Sequence, residues 1–304
     1  MKGKTSRLAI GASTNQRPEG RVTPPFFFSG RPGEGPLTVA VSCAGDAACT
    51  RHLPAAVGTP ILTRVQTLTI AARFCGPPES SNGGYFAGLV ATLASRTVSV
   101  RLLKPPPLNI GLQVHALDDG GLQVLRGEEP IGEAHPAALT LAAPGAPDYL
   151  EAVEASRRYA GFRHHRFPSC FVCGTQRVRG DGLRIFAGPI AERGVVAAPW
   201  VPDASLDAGD GKVRAEFMSA ALDCPGYFAV APDDRMMLLA EFTAHVDRRV
   251  HIGESCTLVG WRIDSNGRKH EAGTAIFDGK GELCGRARAL WIEPRASVSE
   301  LTPK

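Results

Sequence analysis

Phe74-Cys75-Gly76-Pro77-Pro78-Glu79-Ser80-Ser81-Asn82-Gly83-Gly84-Tyr85-Phe86-Ala87-Gly88-Leu89-Val90-Ala91 is the stretch on which the reading of the chain turns. A polar, glycine-rich segment runs without a break into apolar residues, the pattern of a loop feeding a buried helix. Asn82, Gly83 and Gly84 permit a tight turn, and the unpaired N–H groups of a helix N-terminus suit a carbonyl oxygen or an anion. Taken alone, the same letters describe an ordinary N-cap. The setting favours the first reading: one strand-like run, residues 66–74, precedes the turn and three follow it.

Outward from this point the first half reads strand, turn, helix, strand, strand, strand. Residues 65–74 are rich in Thr, Ile and Val, and residues 84–95 form the helix. Its small residues Ala87, Gly88, Ala91 and Ala94 are expected to let a sheet approach closely. Residues 97–102 alternate with period two and stop at Pro105-Pro106-Pro107. Residues 110–117 and 122–126 flank Asp118-Asp119-Gly120-Gly121 as a hairpin, and 131–134 add a short strand. After a connector at 142–167, with Asp148 as N-cap of a helix over 148–159, the second half repeats the logic. Strands are expected at 182–188 and 194–201, and a helical stretch at 213–231. Within that stretch Pro225 either kinks the helix or marks its real beginning. Strands at 237–246, 254–263, 269–277 and 284–292 complete it. Two strand–helix–strands units imply two copies of one architecture.

This arrangement resembles the hotdog fold of acyl-thioester enzymes, where a turn that is often His-Gly-Gly opens the helix and an amide there polarises the thioester carbonyl. Asn82 stands in the place of that His, followed by Gly83 and Gly84. Three further segments look like a thioesterase-like subgroup of that fold: Cys170-Phe171-Val172-Cys173-Gly174 leading to Gly182-Leu183, then Ala221-Leu222-Asp223-Cys224-Pro225, then Gly267-Arg268-Lys269. The resemblance implies an α+β fold of two fused hotdog units, each a curved antiparallel sheet wrapped around a central helix. Its boundaries would be a weakly ordered leader at 1–58, units at 59–141 and 168–296 around the connector, and a tail at 297–304.

Composition bounds the function. The 304 residues are 43% hydrophobic and 21% charged, which is globular composition. A net charge of +4 with scattered basic residues gives a nucleic-acid role no support. Residues 8–12 are too short for a signal segment, and no run of about eighteen apolar residues exists to span a membrane. Eight cysteines outside any dense framework read as reduced thiols, which suits the cytoplasm.

Asp223 is an acid between Leu222 and Cys224 in an otherwise apolar part of the helical stretch, either an N-cap for a helix starting at Cys224 or a buried carboxylate retained for acid–base work. Hotdog thioesterases place a catalytic acid on this helix, which tips the choice to function. The halves also lack complementary parts. Val90 and Ala91 occupy the acid's position in the first half, and Ala215-Glu216-Phe217 replaces the glycine turn in the second. A fused pair would therefore keep one complete site, with Asn82, Gly83 and Gly84 facing Asp223. Cys170 and Cys173 are expected to bind no metal, since zinc takes four ligands and no second Cys-x-x-Cys or paired His spacing accompanies them. His164 and His165 belong to a basic cluster, the usual mark of a solvated loop.

The expectation is thus an acyl-CoA thioesterase-like hydrolase of lipid metabolism, without cofactor, acting on an acyl-CoA or acyl carrier protein thioester. Arg248, Arg249, Arg268 and Lys269 are candidates for the CoA phosphates. The resemblance also allows a homo-oligomer of the fused unit. The alternative is a non-catalytic acyl-CoA or acyl-ligand binding protein of the same fold. A hotdog hydratase ranks lower, because Asp264 and His270 straddle a turn at the wrong spacing.

Overall fold

The computed structural model describes residues 66–231 and 235–295; the expected leader and tail, with Cys43 and Cys49, lie outside the described residues. In chain order the elements of the first half are β1 (Gln66–Thr69), α1 (Gly83–Ala94), β2 (Val98–Leu102), β3 (Gly111–Ala116), β4 (Leu122–Arg126) and β5 (Glu129–Pro136). Helix α2 (Tyr149–Ser156) follows, then β6 (Gly188–Ile190), β7 (Val195–Trp200), α3 (Ala215–Ala221), α4 (Cys224–Val230), β8 (Leu238–Val246), β9 (Cys256–Asn266), β10 (Lys269–Phe277) and β11 (Leu283–Ile292).

Among the described residues the strands form one antiparallel sheet in the order β1-β3-β4-β5-β2-β8-β11-β10-β9-β7-β6. Counting strands within each half, the first half runs first, third, fourth, fifth, second. From β7 to β8 the second half runs the same way, with β6 added at the edge. The halves meet where β2 pairs with β8, through Ser99 opposite Thr243, Val100 opposite Phe242 and Arg101 opposite Glu241. Alternation sets which face is buried: Val98 and Val100 point to the core from β2, and Leu112 and Val114 do so from β3. No helix of the described residues is long and apolar enough to cross a membrane.

Helix α1 starts at the expected glycines. Asn82 caps it, its Oδ1 accepting from the Tyr85 N–H at 2.9 Å, and Ser95 ends it in the left-handed region at φ 54°. Of the small residues expected to admit a sheet, Gly88 faces a helix instead, as does Gly84. A Cβ on Gly88 would lie 2.7 Å from Ser219 Cβ and 2.8 Å from Glu216 Cα, both on α3. The two helices thus touch backbone to backbone where the halves join.

Other elements differ from expectation for local reasons. The run at 65–74 ends as a strand at Thr69 and closes in a 3-10 turn, Ala72–Phe74. The Ala72 amide donates to Asn109 Oδ1, and Phe74 stacks on Tyr85 with ring centroids 4.3 Å apart. Residues 182–187 are not a ladder strand. Arg184 has φ 55°, and the segment instead ties to the cysteine loop through Leu183 N–H to Phe171 O and Ile185 N–H to Val172 O. The helical stretch at 213–231 is two helices, broken before Pro225, which has no N–H to continue the first. Asp148 caps α2 with a reciprocal Glu151 contact, as a capping box.

Candidate active site

The break between α3 and α4 carries Asp223 to the N-terminus of α1. Asp223 Oδ2 accepts from Asn82 Nδ2 at 2.7 Å and from the Gly84 amide at 2.9 Å. Both Asp223 and Asn82 are 3% exposed. The approach needs glycine, since a Cβ on Gly84 would sit 2.6 Å from Asp223 Cβ. Asp223 makes no side-chain bond to α4, so it caps the helix of the other half and not its own. Burial pushes its carboxyl up to about 7, against the Gly84 amide that draws it down; the nearby Cys170 sulfur adds to the rise and Asn82 opposes it. Its other oxygen, Oδ1, is buried and has no hydrogen-bond partner among the described residues.

Asn82, Gly83 and Asp223 line a cavity of about 340 Å³. Leu102, Phe228, Met237, Leu239 and Trp291 supply apolar wall, and Trp291 Nε1 is a second buried atom without a partner among the described residues. Of the donors expected to face a substrate carbonyl, those of Asn82 and Gly84 are directed at Asp223 instead. The Gly83 amide, at the first position of α1 and partly exposed, has no backbone or side-chain acceptor among the described residues.

The anion candidates are placed elsewhere. Arg248 pairs with Asp278 and Arg249 with Asp210, while Arg268 donates to the Glu293 carbonyl at 2.7 Å. Lys269, the first residue of β10, also lies outside the cavity lining. Basic residues that do line it are Lys104 and Arg166, together with His164 and His165, for which the sequence suggests only a solvated loop. His270, set aside with Asp264, bonds Glu293 Oε1 at 2.9 Å and Ser265 Oγ at 3.0 Å.

Cys170, Cys173 and Cys224 also line the cavity, their sulfurs all within 4.8 Å of one another. The expectation of no metal rested on the lack of a partner for the Cys-x-x-Cys pair, and the structure supplies one in Cys224. Sequence spacing hid it because the third thiol is 51 positions from Cys173 and arrives through the break after α3. The signal was present in two separate segments, Cys-x-x-Cys and Leu-Asp-Cys-Pro, which only the fold joins.

No family model matches this chain, and no curated protein matches it in sequence. Solved structures do. A tesB protein of Mycobacterium avium subspecies paratuberculosis aligns with TM-score 0.53 at 14% identity, over 79% of this chain and 96% of that one. A protein described as a thioesterase from Novosphingobium aromaticivorans aligns at 0.50 and 12%, over 76% and 96%. Another described as a thioesterase II, from Thermobifida fusca, gives 0.50 and 15%, over 76% and 94%. Identities this low speak for the fold and not for the chemistry. With its single antiparallel sheet and few helices, the chain shares the fold of these solved structures, a hotdog fold.

Proposed function

We propose that the chain is a thioester hydrolase built from two fused hotdog units, with one composite site between them. The repeated strand order on either side of the β2–β8 junction supports the tandem reading, each half bringing its own helix to the joint. The observation that carries the activity is the Asp223 carboxylate, fixed through one oxygen by Asn82 and Gly84. Its other oxygen is buried and unpartnered among the described residues, and Asp223 is one of the residues that line a largely apolar cavity.

In this reading the Gly83 amide polarises the thioester carbonyl and holds the developing oxyanion. Asp223 takes a proton from a water whose oxygen attacks the carbonyl carbon. Collapse of the tetrahedral intermediate breaks the C–S bond, and the departing thiolate receives the proton from Asp223, leaving a carboxylic acid and a thiol. Asn82 and Gly84 are positioning groups for the carboxylate. The substrate class is acyl-CoA or an acyl carrier protein thioester, with Lys104 and Arg166 at the cavity replacing the four basic residues first considered.

Thiol release from a panel of acyl-CoA chain lengths tests this directly. Asp223→Asn keeps an acceptor for both donors and removes the base, so turnover falls by roughly two to four orders of magnitude while binding holds. The second reading, a non-catalytic acyl-ligand binder, draws on the commitment of the Asn82 and Gly84 donors to Asp223, which leaves one amide for an oxyanion. Tight acyl-CoA binding with no thiol release decides for the binder, whereas turnover indifferent to Asp223→Asn removes Asp223 from the mechanism.

A further inference from the structure

The thiols of Cys170, Cys173 and Cys224 converge from two unrelated parts of the chain, and all are buried. Cys170 Sγ lies 3.9 Å from Cys224 Sγ, and no sulfur of the three is more than 4.8 Å from another. A tetrahedral zinc ion with Zn–S bonds of about 2.3 Å holds its sulfurs about 3.8 Å apart. The cluster therefore presents one face of such a tetrahedron, slightly expanded. A disulfide would require one pair to close to about 2.05 Å.

The loop that carries the first two thiols is fixed before any ion arrives. The Gly174 amide donates to Cys170 O at 2.9 Å, and a Cβ on Gly174 would lie 2.4 Å from that oxygen, so the tight turn after the pair requires glycine. The Cys173 carbonyl accepts from Tyr159 Oη at 3.0 Å and lies 3.1 Å from His165 Nε2. Arg177 Nε holds the Ser169 carbonyl at 2.7 Å, and the Phe171 amide donates to Cys75 O at 2.7 Å. Packing of small free thiols explains a buried cysteine anywhere. It does not explain three sulfurs meeting at one point on a cavity wall, two of them in a Cys-x-x-Cys turn closed by an obligatory glycine.

We propose that Cys170, Cys173 and Cys224 bind a thiophilic divalent cation, zinc in the first instance, as three thiolates. The fourth position faces the cavity that all three residues line and takes a solvent molecule. Binding replaces the three S–H protons by metal–sulfur bonds and releases them to solvent, with no change of oxidation state. The ion would clamp the loop before β6 to the first turn of α4, beside Asp223.

The test uses the full chain and zinc alone. The expected result is one zinc per chain retained through gel filtration by elemental analysis, and a sulfur-to-metal charge-transfer band when cobalt(II) replaces it. Cys224→Ser lowers zinc affinity by at least about tenfold, whereas Cys284→Ser, also buried but outside the cluster, retains the ion. Should Cys224→Ser fail to fold, zinc protection of the wild-type thiols decides instead. Zinc then shields Cys170, Cys173 and Cys224 from alkylation in peptide mapping and leaves Cys75, Cys256 and Cys284 unaffected. Substoichiometric zinc after loading with no such protection, or a disulfide between any two of the three in the isolated protein, overturns the proposal.

Discussion

Gly83 and Gly84 are adjacent and do different jobs. Gly84 is glycine because Asp223 lies where its side chain would be, and its amide is already committed to that carboxylate. Gly83 holds the first helical position, and its amide has no acceptor among the described residues. Proline is tolerated at that position, and the preceding Asn82, at φ −57° and ψ 131°, has the conformation proline demands of its neighbour. Gly83→Pro should therefore leave folding close to wild type by thermal melt, with Leu239 shifting to make room, and reduce thioester turnover by roughly tenfold to a thousandfold. Unchanged turnover would remove the amide from the mechanism. The turn and the acid were both legible in the sequence as candidates. Their direct bond was not, because which donors Asp223 consumes depends on a close approach between helices 139 positions apart.

Between elements, the close contact of α1 and α3 is the joint most sensitive to volume. Gly88→Ala places a methyl against the Glu216 backbone, so chemical denaturation should show a loss of about 1–3 kcal/mol. The sequence showed small residues on α1 but not what they faced, since the same pattern serves a sheet or a helix. The β10–β11 turn runs through Asp278-Gly279-Lys280-Gly281, and it is acid-dependent. Asp278 Oδ1 accepts the Lys280 and Glu282 amides at 2.8 Å each, and Arg248 pairs with Oδ2. Burial pushes this carboxyl up, but those amides and Arg248 outweigh it and hold the group below its ordinary value. A carboxyl lowered on folding contributes stability above its unfolded pKa and loses it as pH falls through the folded value. Wild type should therefore lose stability steeply below about pH 4, and Asp278→Asn should be weaker at neutral pH with a flatter acid limb in denaturant titrations. Parallel acid limbs would contradict this.

At the scale of the molecule, the β3–β4 hairpin was readable from its Asp118-Asp119-Gly120-Gly121 turn. The pairing of β2 with β8 was not, since nothing local marks which edge of one half meets the other. Phe74 and Tyr85 from the first half pack with Phe171 and Phe217 from the second in one aromatic group. A shared core of this kind predicts one cooperative unfolding transition, with far-UV and near-UV dichroism melting together. Residues 59–141 expressed alone should lack a cooperative melt and regain it when combined with the remainder of the chain. Two separated transitions in the intact protein would mean that the halves are energetically independent.

Trp291 stands in the wall of the cavity, and its position makes the protein its own optical sensor. Its buried indole N–H has no partner among the described residues and lies at the cavity, while Trp200 and Trp261, the other two tryptophans, do not line it. Replacing those two by phenylalanine would leave a single emitter whose fluorescence maximum and intensity report what fills the cavity. Occupancy could then be followed for any acyl compound, cleavable or not, without a label.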